Sequence, residues 1–170
     1  MDESHCAVSL SDLACLHYPL LYRYAFRLCG STQEAEDLTQ QTFLTAHRRL
    51  SQLRRADCAK SWLCTILRNT FLTRVSAKGG MRIVPLHAAG EPVDEPPADA
   101  DLDASELQQI LNELPEEFRT PLILFYFEEF SYREIAEQMA VPIGTVMSRL
   151  ARAKSHLRSR LAAMQSAEAR

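Results

Sequence analysis

The stretch that most constrains this chain is Ser131–Leu161, SYREIAEQMAVPIGTVMSRLARAKSHLRSRL. Ser131 followed by Glu134 has the spacing of a capping box: the hydroxyl accepts from the Glu134 amide while the carboxylate reaches back. Ile135, Ala136 and Met139 then recur at helical spacing and give one apolar face. The pattern breaks over Ala140–Gly144, because Pro142 biases Val141 away from helix and Gly144 tolerates a tight turn. Beyond it Val146, Leu150, Ala153 and Leu157 line one face of a second helix, and Arg149, Arg152, Lys154, Arg158 and Arg160 occupy much of the remainder. A short apolar helix, a tight turn and a longer basic helix are the parts of a helix-turn-helix, whose second helix enters the major groove. The competing reading is a plain helical hairpin with a solvated basic face. Against it stand the small or polar residues that open the second helix (Gly144, Thr145, Ser148), and the preceding helix, which sets Glu134 and Glu137 against a single Arg133.

The rest of the chain points to an all-α fold. Of 170 residues only 5 are glycine, and no alternating strand-like run of useful length occurs. That length suits one domain or two small ones. No stretch of 18 or more apolar residues is present, so no membrane insertion is expected. The acidic start, MDESHCAVSLSD, lacks the pattern of a signal peptide, which makes a cytoplasmic location the expectation. Cys6, Cys15, Cys29, Cys58 and Cys64 are odd in number, form no CxxC, and are not joined by histidines at zinc-finger spacing. Buried or idle thiols are expected, with no disulfide framework, metal or other cofactor; a redox-sensing cysteine is the minority alternative.

Net charge is −3, but its distribution says more. Residues 1–80 carry 10 basic and 7 acidic side chains, and 143–170 carry 6 and 1. Between them, 81–106 hold 1 basic and 7 acidic residues, and 107–142 hold 2 and 7. Two basic blocks flank an acidic middle, a pattern suited to a nucleic-acid partner.

In chain order, Leu10–Leu16 reads as a short helix and Pro19–Cys29 as a second, stopped by Gly30. Ser31 with Glu34 opens another helix through about Arg49, with Ala35, Leu38, Phe43, Ala46 and Leu50 as its buried stripe. Its acids (Glu34, Glu36, Asp37) and bases (Arg48, Arg49) sit at the ends where the helix dipole favours them, which explains those charges without a function. Ser51–Ala59 is a loop carrying Arg54 and Arg55. A further helix, Lys60 to about Val75, turns Trp62, Leu63, Ile66, Leu67 and Leu72 inward. From Gln40 to Gly80 there are eight basic residues and one acid, Asp57, interleaved with Phe43, Trp62 and Phe71. Such aromatics are usually core, yet aromatic and arginine side chains also hold unstacked bases of single strands. Residues 79–104, rich in Gly, Pro and acids, form a flexible acidic linker between a domain at 10–78 and one at 105–163. In the second domain Ser105 caps a helix over Glu106–Leu114, and Pro115 suits the first turn of the next. Leu122, Ile123, Phe125, Tyr126 and Phe127 supply a core for Ile135, Val146, Leu150 and Leu157; beyond Leu161 the chain turns small and polar, and its last residues are expected to fray.

Four segments, AEDLTQQTF (Ala35–Phe43), SWLCTILRN (Ser61–Asn69), LNELPEEFR (Leu111–Arg119) and SYREIAEQMAVPIGTVMSRLARAK (Ser131–Lys154), stand in an order that resembles bacterial RNA polymerase sigma factors of the extracytoplasmic-function (ECF) group, in the sigma-70 family. The resemblance spans Pro19–Leu161 apart from the linker. It implies a sigma-2-like domain and a sigma-4-like helix-turn-helix domain, and a non-catalytic transcription initiation factor. Its implied partners are core RNA polymerase, promoter DNA and an anti-sigma factor. It assigns Asp37, Leu38, Gln40, Gln41 and Phe43 to polymerase binding, the apolar members being partly core. It assigns Arg54, Arg55, Arg68, Asn69 and Arg74 to the melted −10 element, with Asn69 and the loop at the extruded base. It assigns Thr145, Met147, Ser148, Arg149, Arg152 and Lys154 to the −35 duplex. The chain departs from the common pattern at two places: Met147 stands where many members carry Lys or Arg, and Thr73 where many carry Asp before a denser basic run than VSAKGG.

Two other classes compete. A dimeric regulator would use the same helix-turn-helix on palindromic DNA, leaving the basic, Trp62-bearing block unexplained. An enzyme, such as a metal-dependent nuclease, would use Glu34, Glu36 and Asp37, yet no matching cluster, phosphate loop or nucleophile–base pair accompanies them.

Overall fold

In a computed structural model of the chain, residues 9–77, 79 and 104–168 are described. Cys6, the N-terminal segment and nearly all of the acidic linker lie outside them. Among the described residues there are seven α-helices, two 3₁₀ turns and no strand, so the chain is all-α. The helices are α1 (Leu10–Cys29), α2 (Thr32–Arg48), α3 (Ala59–Ala77), α4 (Ala104–Glu113), α5 (Glu116–Tyr126), α6 (Tyr132–Met139) and α7 (Ile143–Glu168). They divide into two compact units, one carrying α2, α3 and most of α1, the other α4–α7.

In the first unit α2 packs along α3. Leu13, Leu21, Tyr24 and Ala25 of α1, Ala35, Leu38 and Ala46 of α2, and Leu63, Cys64, Ile66 and Leu67 of α3 are buried. The two helices expected before Gly30 are one. Pro19 lies inside α1, where its missing N–H leaves the Cys15 carbonyl without an intrahelical donor. Cys15, Leu16, Tyr18 and Pro19 are exposed, so water can serve that carbonyl, while Leu13 and Leu21 anchor the helix on either side. Ser9 caps α1, its hydroxyl accepting from the Asp12 amide at 3.3 Å. Gly30 follows the C-terminus of α1 at φ +72°, a left-handed position that glycine adopts freely.

The stripe expected on α2 is corrected in two places. Phe43 and Leu50 are half-buried, and Thr39 and Thr42 are fully enclosed instead. Their hydroxyls donate to the Ala35 and Leu38 carbonyls at 2.7 and 2.8 Å, so each side chain is satisfied within its own helix and presents its methyl to the core. On α3, Trp62 and Leu72 are half-buried rather than core.

In the second unit α5 and α6 both pack on α7, and on each other. Ser105 lies inside α4 rather than capping it, since the helix already includes Ala104. Pro115 is the N-cap of α5 rather than part of its first turn; its carbonyl accepts from Phe118 and Arg119 at 3.0 and 2.9 Å. The buried run of α5 is Thr120–Leu124, with Leu122, Ile123 and Leu124 as its large apolar members. Phe125, Tyr126 and Phe127, at the C-terminal end of α5, are only half-buried; Phe125 stacks on Tyr132 at 4.8 Å and meets Tyr126 edge-on at 5.0 Å.

Both halves of the Ser131–Glu134 capping box are present: Glu134 N–H donates to Ser131 Oγ at 3.3 Å, and Ser131 N–H to Glu134 Oε2 at 2.8 Å. At the other end of α6, Ala140 adopts φ 53°, ψ 45°. The Val141 amide reaches the Ala136 carbonyl at 3.1 Å and the Ala140 amide the Glu137 carbonyl at 3.3 Å, which is a Schellman closure. The turn is thus closed by a left-handed alanine before Pro142, and Gly144 is the second residue of α7. Beyond Leu161 α7 continues to Glu168, as alanines and other good helix formers in 162–168 favour; the two residues after it lie outside the described ones.

His17, half-buried on α1, has its pKa pushed below the ordinary 6.5 by burial and, secondarily, by the charge of Lys60. The folded chain therefore holds this proton less tightly than the unfolded one. The stability it contributes is complete above about pH 6.5 and is lost as pH falls toward the lowered folded value. His17→Gln should flatten that acid-side decline, an effect kept small by solvent screening and read from urea midpoints at successive pH values. In the same assay Ser131→Ala should cost about 1 kcal/mol. Ala140→Gly should instead stabilise by about 0.5–1 kcal/mol, because it relieves a left-handed Cβ.

Candidate nucleic-acid interface

Packing fixes the rotation of α7. Val146, Leu150, Ala153 and Leu157 are buried, so the positions between them are distributed over the sides and the outer face. Of the candidate duplex readers, Met147, Ser148 and Arg152 are exposed on that outer face, and Thr145 is half-buried beside them. Two basic candidates are drawn inward. Arg149 Nη2 lies 3.3 Å from Glu117 Oε2 on α5, with only 21% of its side chain exposed. The Lys154 ammonium sits over the Tyr126 ring at 5.5 Å. Further along, Glu113 of α4 accepts from Arg160 Nη2 at 2.6 Å and meets His156 Nε2 at 3.3 Å. The basic helix is therefore two-sided: some of its charge braces it against α4 and α5, and the remainder faces solvent.

In the first unit, α2 and α3 enclose a groove of about 410 Å³. It is lined by Gln41, Thr45 and Arg49 from α2, and by Ile66, Asn69, Thr70, Thr73 and Arg74 from α3. Sequence reasoning named Gln41, Asn69 and Arg74 but assigned them to two different partners; the structure brings them to one groove. It passed over Thr45, Arg49 and Thr70 as site residues, although Gln41, Thr45 and Arg49 recur at i, i+4, a polar stripe visible in the sequence. The hydroxyls of Thr45, Thr70 and Thr73 donate to the Gln41, Ile66 and Asn69 carbonyls at 2.8–2.9 Å. What the groove presents for recognition is therefore the two amides and the two guanidiniums. Arg74 Nη2 also donates to the Asp37 carbonyl at 3.1 Å, which ties α3 to α2.

The other candidates lie elsewhere. Arg54 and Arg55 are exposed on the segment between the 3₁₀ turns Leu50–Gln52 and Ala56–Cys58. Arg55 grips Asp57, with Nε 3.0 Å from Oδ1, and this guanidinium holds the Asp57 carboxyl below its ordinary range. Arg68 is half-buried on α3. On α2, Asp37 and Gln40 are exposed, whereas Leu38 is fully enclosed and acts by supporting the helix. Phe43 stacks on Tyr18 at 6.2 Å, and Tyr18 on Tyr22 at 6.3 Å. Glu34, Glu36 and Asp37 are exposed on the first turns of α2, and no group of three His, Cys, Asp or Glu able to hold a metal occurs among the described residues. Cys15 and Cys58 are exposed, Cys29 is half-buried and Cys64 buried. No helix among the described residues is long and apolar enough to cross a membrane.

Family models for Sigma-70 region 2 and Sigma-70 region 4 match residues 13–80 and 104–157. The ECF RNA polymerase sigma factor EcfG of Rhodopseudomonas palustris is 31% identical over 156 residues, covering 88% of this chain and 83% of that one. The chain belongs to the sigma-70 family, ECF group. The ECF sigma factor SigE of Mycolicibacterium smegmatis is 37% identical over 164 residues; the match takes in 91% of this chain and 62% of that protein. Among solved structures, the sigma factor RpoE of Bartonella quintana, in complex with the anti-sigma factor NepR, superimposes with a TM-score of 0.72 at 30% identity, over 89% of this chain and 95% of that one. Sigma factors are non-enzymatic transcription initiation factors. The region 2 match contains the whole α2–α3 groove, and the region 4 match contains the helix-turn-helix with α7 as far as Leu157.

The Arg149–Glu117 pair is partly open to solvent, so its contribution is modest. A cycle of Arg149→Ala and Glu117→Ala in urea denaturation should return a coupling of about 0.5 kcal/mol, shrinking toward zero at about 1 M salt.

Proposed function

We propose that this chain binds core RNA polymerase through the exposed face of α2, reads a −35 duplex with α7, and engages the melted −10 strand with the α2–α3 groove and the Ser51–Ala59 loop. The observation that carries this reading is the outer face of α7. Its rotation is set by four buried residues, which leave Met147, Ser148 and Arg152 exposed while Arg149 and Arg160 are drawn to Glu117 and Glu113. A helix so held, with Met147, Ser148 and Arg152 outward, can enter a major groove without any loss of core packing.

The groove in the first unit suits a different form of nucleic acid. Two amides can pair with a base edge, and Arg49 and Arg74 can meet the phosphates on either side of it. Extruding a base costs a few kcal/mol, so a preformed polar groove lowers the barrier to strand opening. An anti-sigma protein is a further proposed partner, since RpoE of Bartonella quintana is held by one. These roles place the proposed site of action in the cytoplasm, with the polymerase and the DNA. A dimeric regulator on palindromic DNA would have no use for the groove.

In vitro transcription with core polymerase over a promoter library tests the reading: specific transcripts should appear only when the protein is added. No transcript together with no binding to core would refute it. Arg152→Ala should weaken −35 duplex binding and reduce the magnitude of the salt slope by about one. Asn69→Ala should leave duplex binding intact and slow open-complex formation, measured by permanganate reactivity of unpaired thymines.

A further inference from the structure

The large apolar side chains exposed on the described surface are Leu16, Tyr18, Leu44, Ile143 and Met147. Single exposed apolar residues are ordinary. Ile143 and Met147 are not single: they stand at i and i+4 on the first two turns of α7, 46% and 50% exposed, and so are neighbours on one face. That face is turned away from Val146 and Leu150, which are buried. Between them Gly144 adds no side chain, and the space its Cβ would occupy is open.

The hydrogen-bonding groups nearby are largely engaged. Ser148 Oγ donates to the Thr145 carbonyl at 3.0 Å, and Arg149 is drawn toward Glu117. Beside Thr145 and the first-turn amides, the large exposed side chains at the leading end of the helix are thus the apolar Ile143 and Met147. The charge of α7, five basic residues against the single acid Glu168 with Arg152 left exposed beside the leading turns, favours an anionic partner. Within a major groove the one apolar feature of an unmodified base pair is the C5-methyl of thymine.

We infer that Ile143 and Met147 form an apolar reader of pyrimidine C5-methyl groups, supplied by thymine in the −35 element, so that the chain selects thymine there by contact with carbon. The inference rests on the proposed −35 role of α7. No covalent step is involved; specificity comes from removing a methyl group and two side-chain tips from water together. Taking one methyl out of water corresponds to about a fourfold change in affinity. A Lys or Arg at position 147 would favour guanine, with its N7 and O6 acceptors, in the same place.

Uracil lacks only that methyl, which makes the test direct. With the full chain and core polymerase, a promoter found by the library assay is rebuilt with uracil replacing each −35 thymine in turn. At one or two positions uracil should weaken duplex binding by about fourfold. Met147→Ala or Ile143→Ala should bind that promoter more weakly but become indifferent to the replacement, while Arg152→Ala should keep the full thymine–uracil difference. The inference is overturned if uracil is tolerated at every −35 position, or if both alanine variants lose as much as the parent on uracil. A parallel series with 5-methylcytosine separates the two sources of the methyl: a gain there with no loss on uracil removes the assignment to thymine. If the parent yields no specific transcript with core polymerase, the −35 reading itself has failed and this inference with it, an outcome distinct from uracil tolerance on an active promoter.

Discussion

The second unit depends on one constraint: α7 must bury Val146, Leu150, Ala153 and Leu157 against Leu122, Ile123 and Leu124 of α5 and Ile135 of α6. Each large apolar side chain contributes about 1.5–3 kcal/mol on burial. A rotation of α7 by one residue would expose that seam and bury charge in its place. The surface offered to DNA is thus a by-product of core packing, and it cannot be re-aimed without unfolding the unit. The turn between α6 and α7 obeys the same constraint: the Schellman closure at Ala140 and the capping box at Ser131 fix both ends of α6, and with them the point where α7 begins.

Electrostatics then sorts the basic residues of α7. Glu113 and Glu117, on the helices behind, engage Arg149, His156 and Arg160, and the Tyr126 ring lies under Lys154. These exposed or half-exposed pairs add little stability individually. Their effect is one of selection, since they decide which cations remain directed toward solvent. A sequence that is acidic across 107–142 and basic across 143–170 had already shown the two halves of this arrangement. It could not show which base met which acid, because residues 32 to 47 positions apart are matched by packing alone.

What the sequence made legible follows from how local the determining physics is. The N-caps at Ser31 and Ser131, the stop at Gly30 and the seam of α7 depend on residues within a turn or two of each other, and all are readable in the sequence. The misreadings lie where a local rule met a compensating circumstance. Pro19 reads as a break, yet exposure of its surroundings lets α1 run through it. Thr39 and Thr42 were passed over as polar, although a hydroxyl bonded to its own helix makes threonine a passable core residue. The aromatic run after Ile123 reads as core, yet Phe125, Tyr126 and Phe127 turn partly to the surface. The α2–α3 groove was the least legible feature: each residue lining it could be named, but only tertiary packing of two helices puts Gln41 and Asn69 on the same opening.

The length of α7 has a mechanical consequence. At about 1.5 Å per residue its 26 residues make a rod of about 39 Å, longer than any groove face it could occupy at one time. Its leading turns meet solvent, while its middle is clasped through Arg160 and His156 by Glu113. A stiff rod gripped part-way along is a lever. With the grip at 156–160, the leading arm from Ile143 is about 22 Å and the trailing arm to Glu168 about 15 Å, so a tilt imposed on the tip by a groove reaches the trailing end reversed in direction and reduced by about a third.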